Sequence, residues 1–419
     1  MMLPPYIHFG NTNRQIRTFN RQTTRNTEHR TQNPKLRTRN SEPETIFLTR
    51  NSKPETRNSK LRTKNSELTT TFTFVSGRKL FDKKHIALAL QGGGAHGAFT
   101  WGVLDRLLEV EEIVAEGICG TSAGAVNAVA LAYGLHMGGP EKAKELLEKL
   151  WKKIAQQGSY LFKPSPWDKA FGLGDIHNSP GYAFFNSLSQ SLSPYQLNPF
   201  NYNPLKNILN DLIDFEELKR YNTKKLFICA TNVKTNRAKV FHNHEISADA
   251  VLASACLPFL FQAVEIDGES YWDGGYMGNP PLTPLIAETE THDVVLVKIN
   301  SINIRKVPTS ARDIAERVNE ISFNSSLISE MQMVHYRNEL IRKGVSLPEQ
   351  DREIFVHCIS GYSSLDHLSY SSKMNTSWDF LQHLKEEGRK TADIWLENEY
   401  DAVGLRSSFD VETHFLNKF

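Results

Sequence analysis

The chain has 419 residues, of which 39% are hydrophobic and 23% charged, so it is long enough to bury a large core. Its net charge is +2, but residues 1–80 hold 16 Lys and Arg against 5 Asp and Glu, which leaves the remainder at −9. An acidic folded region argues against a nucleic-acid partner, because binding phosphates requires a concentration of Lys and Arg.

Residues 1–80 are predicted to form a disordered, basic, low-complexity tail. The tail repeats itself, with TRNSEPET from residue 38 and TRNSKPET from residue 49, and it has no periodic apolar residues that would offset the entropy of ordering. A basic arm for anionic lipid, a solvated tail and a misassigned translation start all remain open for this segment.

Composition also sets expectations for the compartment. No stretch approaches the roughly eighteen apolar residues of a membrane span, and no apolar segment of a secretory signal is visible. The four cysteines are widely spaced in apolar runs without a CxxC pair, which predicts buried free thiols and no metal site. We therefore expect a cytoplasmic protein whose contact with a membrane would be peripheral.

From residue 83 the predicted strands and helices alternate. An apolar strand at His85–Leu90 precedes a helical pattern from Gly97, a second strand at Ile113–Cys119, and a buried helix at Ala125–Tyr133. This alternation predicts an α/β fold with a mostly parallel central sheet.

The rest of the chain divides into three regions. Residues 158–205 are irregular and aromatic, and segments this long without regular structure are usually functional or disordered. The first folded domain is predicted to span residues 83–300, and residues 301–419 to form a helical extension packed on it. Further predicted elements are helices at Glu141–Gln157, Leu205–Tyr221, Ala248–Ala255, Ile314–Val334 and Trp378–Leu396, strands at Lys225–Asn232, Asp293–Asn300 and Glu353–Ile359, a hairpin through Val240 and a strand ending at Trp272.

One serine lies in a motif that is typical of nucleophiles. Gly120-Thr121-Ser122-Ala123-Gly124 closes the second strand and opens a helix, and a Gly-x-Ser-x-Gly turn in that position exposes its serine above a parallel sheet. A serine in an ordinary glycine turn is the alternative.

A glycine loop follows the first strand. In Gln91-Gly92-Gly93-Gly94-Ala95-His96-Gly97, successive glycines allow backbone amides to converge on a developing negative charge. The loop also fits the GxGxxG pattern of dinucleotide binding, but that function requires an acidic residue at the end of the second strand, where this chain has Ile118-Cys119-Gly120. No nucleotide cofactor is therefore expected.

A serine nucleophile needs a base, and no histidine lies in a recognisable catalytic turn. His96 is close in sequence to the glycine loop, but a structural or substrate-contacting role is favoured. Asp273-Gly274-Gly275 follows a predicted strand, so its carboxylate is the alternative candidate, although the same tripeptide is common in plain turns.

These three motifs, in this order, resemble the patatin-like phospholipase family, and more closely its bacterial members with a C-terminal extension. The resemblance covers about residues 83–300 and implies a three-layer α/β/α fold and hydrolysis of lipid acyl esters of the phospholipase A or lysophospholipase type, without metal or cofactor. It implies a dyad of Ser122 and Asp273 and an oxyanion hole at Gly93 and Gly94. Under this resemblance the aromatic segment 158–205, with Phe184 and Phe185, would form a lid over an apolar cleft, and a loop layer that only covers the sheet is the alternative. The remaining motif glycines are Gly92, Gly97, Gly120, Gly124, Gly274 and Gly275.

The chain departs from the common family pattern at two positions. Gln91 stands where many members have Asp, and His96 where many have Arg or Lys, so the preferred head group is in doubt. Two other functions stay open: a non-catalytic or regulatory lipid-binding module on the same scaffold, and an esterase with a Ser-His-Asp triad that uses a histidine such as His292.

Overall fold

The computed structural model describes residues 83–158, 176, 179–189, 191–221, 223–304, 306–347 and 352–416. For residues 183, 185, 186 and 312 only the backbone is described. The tail predicted for residues 1–80 and the side chain of Phe185 lie outside this description.

The centre of the molecule is a mixed sheet of eight strands. Its order is β5-β6-β3-β2-β1-β7-β8, with β4 paired to β3. The pairs among β1, β2, β3, β7 and β8 are parallel, whereas β4, β5 and β6 add antiparallel pairs at one side. The strands are β1 (Lys84–Leu90), β2 (Ile113–Gly120), β3 (Lys225–Asn232), β4 (Arg237–His242), β5 (Val264–Ile266), β6 (Glu269–Asp273), β7 (Asp293–Lys298) and β8 (Phe355–Ser360).

Helices connect and cover these strands. Those described are α1 (Gly97–Leu107), α2 (Ala123–Gly158), α3 (Pro180–Ser189), α4 (Pro194–Leu197), α5 (Pro204–Leu212), α6 (Phe215–Arg220), α7 (Ala248–Ser254), α8 (Leu282–Glu288), α9 (Ala311–Arg342), α10 (Tyr362–Leu365), α11 (Trp378–Asn398) and α12 (Val411–Phe415). Short 3₁₀ turns at Gly94–His96, Asn243–Glu245, Gly274–Tyr276, Tyr370–Met374 and Tyr400–Ala402 complete the list.

Strand β1 shows why the fold has three layers. Ile86, Leu88 and Leu90 belong to a core shared with α1, α2 and α11, whereas Ala87 and Ala89 belong to a second core shared with α8, α9 and α12. Because successive side chains of a strand point to opposite faces, a continuous apolar run must be covered on both sides. The predicted α/β/α fold with a mostly parallel sheet is confirmed.

The part of the chain after residue 300 is integrated into these layers. Strand β8 pairs with β7 in parallel, and α11 packs closely on α1. A Cβ atom at Gly102 would lie 1.9 Å from the carbonyl oxygen of Lys385, and one at Gly388 would lie 2.1 Å from that of Phe99. Glycine on both helices is what permits this close approach.

The register around β3 brings a carboxylate to the end of β2. Strand β4 occupies one edge of β3 from Phe227 to Asn232, so β2 and β6 must share the other edge. On that edge Gly120 lies opposite Ile228, and Asp273 lies opposite Ala230, two residues further along β3. Asp273 therefore lies close to the turn that follows β2.

The structure confirms some of the sequence-based elements and differs from others. The two helices predicted on either side of Gly138 are both present, because the backbone at Gly138 and Gly139 is not helical and separates them within Ala123–Gly158. The helix predicted over Leu205–Tyr221 is broken after Leu212, because Asp214 caps a new helix by accepting from the amides of Glu216 and Glu217. Helices α3, α4, α8, α10 and α12 were not predicted, and the first two lie in the segment predicted to be irregular.

Candidate active site

Three loops meet at the carboxyl edge of the parallel strands. The side-chain amide of Asn300, beyond β7, donates to the carbonyl of Gly92 at 2.6 Å, and Asn279 Oδ1 accepts from the Gly92 amide at 2.7 Å. The Thr121 hydroxyl, after β2, donates to the carbonyl of Gly278 at 2.5 Å. The glycine loop and the serine turn are thus fixed on a common frame.

Ser122 occupies the strained turn that its motif predicts. Its φ is 55°, in the left-handed region that non-glycine residues rarely adopt, and its amide donates to the hydroxyl of Ser254 at 2.9 Å. Its exposed fraction is only 8%, yet it lines an open cavity together with Gly93 and Gly94. Ser122 can therefore be reached from this cavity.

The motif glycines allow the two loops to touch. A Cβ atom at Gly92 would lie 2.5 Å from the carbonyl oxygen of Thr121, and one at Gly124 would lie 2.1 Å from that of Leu90. Any side chain at these positions would separate the glycine loop from Ser122. Cβ atoms at the other motif glycines would make contacts nearly as short, at Gly97, Gly120, Gly274 and Gly275.

Asp273 is a fully buried carboxyl group at the end of β6. Its Oδ1 accepts from the amide of Gly275 at 2.8 Å, and its Oδ2 has no hydrogen-bond partner. Burial raises the pKa of Asp273 from 3.8 to about 7, although the Gly275 amide and the Ser122 side chain both act to lower it. A carboxyl group with this pKa can accept and return a proton near neutral pH.

Gly93 and Gly94 line the same cavity as Ser122, and Gly94 has a φ of 59°. The structure therefore brings together four of the residues that the sequence singled out: the serine and the two glycines line one cavity, and the serine side chain lies close enough to Asp273 to lower its pKa.

The opposite wall of the cavity comes from distant parts of the chain. Helix α9 supplies three of its residues, the 3₁₀ turn at Tyr370–Met374 supplies three more, and Leu257 and Asn300 complete it. The lining residues beyond residue 300 are Asn319, Glu320, Phe323, Tyr370, Lys373 and Met374.

Two histidines considered from the sequence occupy other places. His292 directly precedes the first residue of β7, so it lies at the opposite edge of the sheet from Ser122, roughly 20 Å away by the rise of the intervening strand residues. Its Nδ1 pairs with the carbonyl of Glu353. A triad that uses His292 is therefore wrong for this fold.

His96 is buried behind the glycine loop. Its Nε2 pairs with the hydroxyl of Ser372 at 2.7 Å, and its Nδ1 has no partner. Burial, together with the nearby charge of Lys373, lowers the pKa of His96 to about 3, so the ring is neutral. His96 links the glycine loop to the C-terminal region.

Gln91 also has a structural place. Its Oε1 accepts from the amides of Ile299 and Asn300 at 2.8 and 2.9 Å, and the side chain is fully buried. Neither Gln91 nor His96 lines the cavity. The two departures from the family pattern therefore concern the hydrogen bonds that hold the glycine loop in place, and not the residues that line the cavity.

Sequence reasoning missed the polar residues that hold the loops. Ser254, Asn279 and Asn300 follow no motif and lie 132 to 208 residues away from their partners. The one signal available in the sequence was a polar residue at the end of a predicted strand, and of these three residues Asn300 has that position.

Three further properties concern the described part of the chain. Its four cysteines are buried and free, as predicted. Within those same ranges, no group of three or more His, Cys, Asp or Glu residues could hold a metal ion. No helix among them has the length and apolar character needed to cross a bilayer.

The fold and the site define a class: an α/β protein that presents a serine on a strained Gly-x-Ser-x-Gly turn beside a glycine loop. Residues 88–286 match the family model of the patatin-like phospholipases. This match confirms the resemblance to that family that the motifs of the chain predicted.

Several known proteins resemble this chain. A cGAMP-activated phospholipase of Vibrio cholerae serotype O1 is 26% identical over 220 residues, which cover 46% of this chain and 54% of that protein. An uncharacterized protein of Acanthamoeba polyphaga mimivirus is 25% identical over 212 residues, which cover 49% and 63%. The match therefore spans less than two thirds of either relative. The crystal structure of VipD from Legionella pneumophila aligns at 15% identity with a TM-score of 0.36, over 76% of this chain and 67% of that one.

Proposed function

We propose that this chain hydrolyses the acyl esters of lipids, as a phospholipase A or lysophospholipase, with Ser122 as nucleophile and Asp273 as base. The match to the family model of the patatin-like phospholipases supports lipid hydrolysis in general. The observation that carries the finer proposal is the proximity of a cavity-lining serine at φ 55° to a buried carboxyl group whose pKa is raised to about 7.

In the proposed reaction, Ser122 Oγ attacks the ester carbonyl while Asp273 takes the hydroxyl proton. The amides of Gly93 and Gly94 stabilise the negative charge that develops on the carbonyl oxygen. Asp273 then returns the proton to the departing alkoxide, which leaves an acyl group on Ser122. A water molecule, deprotonated by Asp273, attacks this acyl group. The bond to Ser122 Oγ then breaks, Asp273 returns the proton to that oxygen, and the fatty acid is released.

Hydrolysis of a panel of lipid classes tests the proposal. Wild type should release fatty acid from at least one class of phospholipid or lysophospholipid, and Ser122→Ala should reduce that release to background. Ser122 is small, and its backbone amide, not its hydroxyl, donates to Ser254. The variant therefore keeps this hydrogen bond and the conformation of the turn. Equal release by the folded variant would refute the role of Ser122, and no release by wild type would favour a non-catalytic lipid-binding module.

Peripheral contact with a lipid surface forms part of the proposal. The segment that contains α4 lies on the loop after Leu257, because Tyr195 Oη accepts from the amide of Ala263 and Gln262 donates to the carbonyl of Asn198. Leu257 lines the cavity, so this segment is near its mouth. Large aromatic side chains are exposed on these two segments and on α3: Phe184, Tyr195, Phe200, Tyr202 and Phe259. Aromatic residues are typical of surfaces that dip into a lipid interface.

The ratio of activity on vesicles to activity on a soluble ester measures this contact. Phe200→Ser and Phe259→Ser should lower the ratio, whereas Leu405→Ser, equally apolar and exposed but on a distant turn, should leave it unchanged. An unchanged ratio in both phenylalanine variants would contradict the contact.

A further inference from the structure

The cavity at Ser122 carries a charge pair that the reaction above does not use. Of the described residues that line it, Lys373 is the single cation and Glu320 the single anion. Lys373 Nζ lies 3.6 Å from Glu320 Oε1, and their side chains are 16% and 26% exposed. Both groups are thus partly withdrawn from water but still reachable from the cavity.

The turn that carries Lys373 is fixed directly on the glycine loop. A Cβ atom at Gly94 would lie 2.4 Å from the carbonyl oxygen of Lys373, and Ser372 pairs with His96 on the same loop. The position of the ammonium group is therefore set relative to the proposed oxyanion glycines. His96 is neutral, so it brings no second cation to the loop.

Glu320 is held from the other side. Arg317, one turn earlier on α9, lies 3.2 Å from Glu320 Oε2 and donates to the carbonyl of Ile302. Glu320 therefore keeps a partner when Lys373 moves away. Glu316 also faces Lys373, since it acts with Glu320 to raise the pKa of the lysine against the lowering effect of burial.

The pair itself is loosely joined. Charge-assisted hydrogen bonds between nitrogen and oxygen are typically about 2.7–2.9 Å long, so a separation of 3.6 Å leaves room for other partners. A ligand that offered an anion to the lysine and a cation to the glutamate would replace one long contact with two short ones.

We propose that Lys373 and Glu320 bind the head group of a zwitterionic glycerophospholipid, with the phosphate on Lys373 and the terminal amine on Glu320. The inference rests on the proposed function, because it names the substrate class of the same site. Lys373 and Glu320 act here as specificity-determining residues, and the chemistry stays with Ser122 and Asp273.

The alternatives fit the pair less well. A phosphodiester without an amine would bring its negative charge to Lys373. It would also place that charge close to the carboxylates of Glu320 and Glu316 without offering a cation to either. Like charges at such distances are repulsive, more so where water is partly excluded. An uncharged diacylglycerol would make no use of either group. The preferred lipid is therefore one whose head group carries both a phosphate for Lys373 and an amine for Glu320.

The experiment compares phosphatidylethanolamine, phosphatidylglycerol and diacylglycerol with identical acyl chains in micelles of a non-ionic detergent. Wild type should show the highest kcat/KM for phosphatidylethanolamine. Glu320→Gln should lower the ratio of phosphatidylethanolamine to phosphatidylglycerol by about tenfold, and Lys373→Gln should lower the ratio of either phospholipid to diacylglycerol by a similar factor, the usual size of one charged hydrogen bond.

A matched control lies on the same helix. Glu339 pairs with Arg342 and Lys343 at the far end of α9, so Glu339→Gln removes the same charge from an exposed site and should leave both ratios within about twofold of wild type. Circular dichroism verifies folding, and Glu320→Gln, a half-buried isosteric change, remains decisive should Lys373→Gln fail to fold.

The outcomes separate the two proposals. Ester hydrolysis with ratios that do not change in Glu320→Gln overturns the head-group inference and leaves the proposed function standing. If wild type hydrolyses no ester, the proposed function fails, and titration calorimetry with glycerophosphoethanolamine tests the pair independently. Binding that is weakened about tenfold in Lys373→Gln or Glu320→Gln supports the site, and absence of binding to wild type overturns it.

Discussion

The raised pKa of Asp273 leads to a prediction about pH. The group is fully buried, and burial raises its pKa from 3.8 to about 7. Only the ionised carboxylate can accept the proton of Ser122, so kcat/KM should rise with pH to a plateau and be half-maximal near pH 7. One pH unit below the pKa about a tenth of the enzyme is ionised, and two units below about a hundredth.

The assay uses an ester and an acid product that do not titrate over the range studied, with the product quantified by chromatography between about pH 5 and pH 9. A short, soluble ester removes any effect of pH on a lipid surface. An unperturbed aspartate would ionise near 3.9 and give a flat profile over this whole range. A flat profile from a stable enzyme would therefore refute the raised pKa of Asp273 as the property that governs turnover.

Three further predictions concern stability and packing. Asp273→Asn, which retains an acceptor for the Gly275 amide, should abolish turnover yet raise the free energy of unfolding at pH 8 by up to about 4 kcal/mol. Thermal melts should show this gain shrinking as pH falls below about 7 and vanishing below about 4, where wild type is protonated in both states, and a gain independent of pH would contradict the buried charge. Gly94→Ala should lose activity, since its Cβ would meet the carbonyl oxygen of Lys373, whereas Gly139→Ala, also at positive φ but with open space, should cost about 1–3 kcal/mol in denaturant unfolding and retain activity; equal activity in both would contradict the contact. Ser372→Ala should destabilise by about 1–3 kcal/mol in urea unfolding, because it leaves His96 Nε2 buried without a partner, and a loss below about 0.5 kcal/mol would contradict that link.

The fold was predictable where the chain's local pattern is strong. The apolar runs of β1 and β2 end in glycine motifs, and helical periodicity follows each, so the order strand, loop, helix could be read directly. The helix break at Asp214 could not be predicted as easily, because apolar residues continue through it and only the cap separates the two helices.

The site was predictable in part, for a physical reason. Ser122, Gly93 and Gly94 belong to consecutive strand ends of one parallel sheet, so their proximity follows from local topology. Asp273 depends on β6 sharing an edge of β3 with β2, which no local pattern encodes. Glu320 reaches the cavity from helix α9 and Lys373 from the short turn at Tyr370–Met374. Neither residue belongs to a motif, so only the folded chain brings them to Ser122.

Labelling with a fluorophosphonate probe is the most direct test of the proposed nucleophile. The account predicts that the probe labels the wild-type protein at neutral pH, that peptide mass spectrometry finds the adduct on Ser122, and that folded Ser122→Ala is not labelled. Absence of labelling in folded wild type, or an adduct that persists in Ser122→Ala, would contradict it.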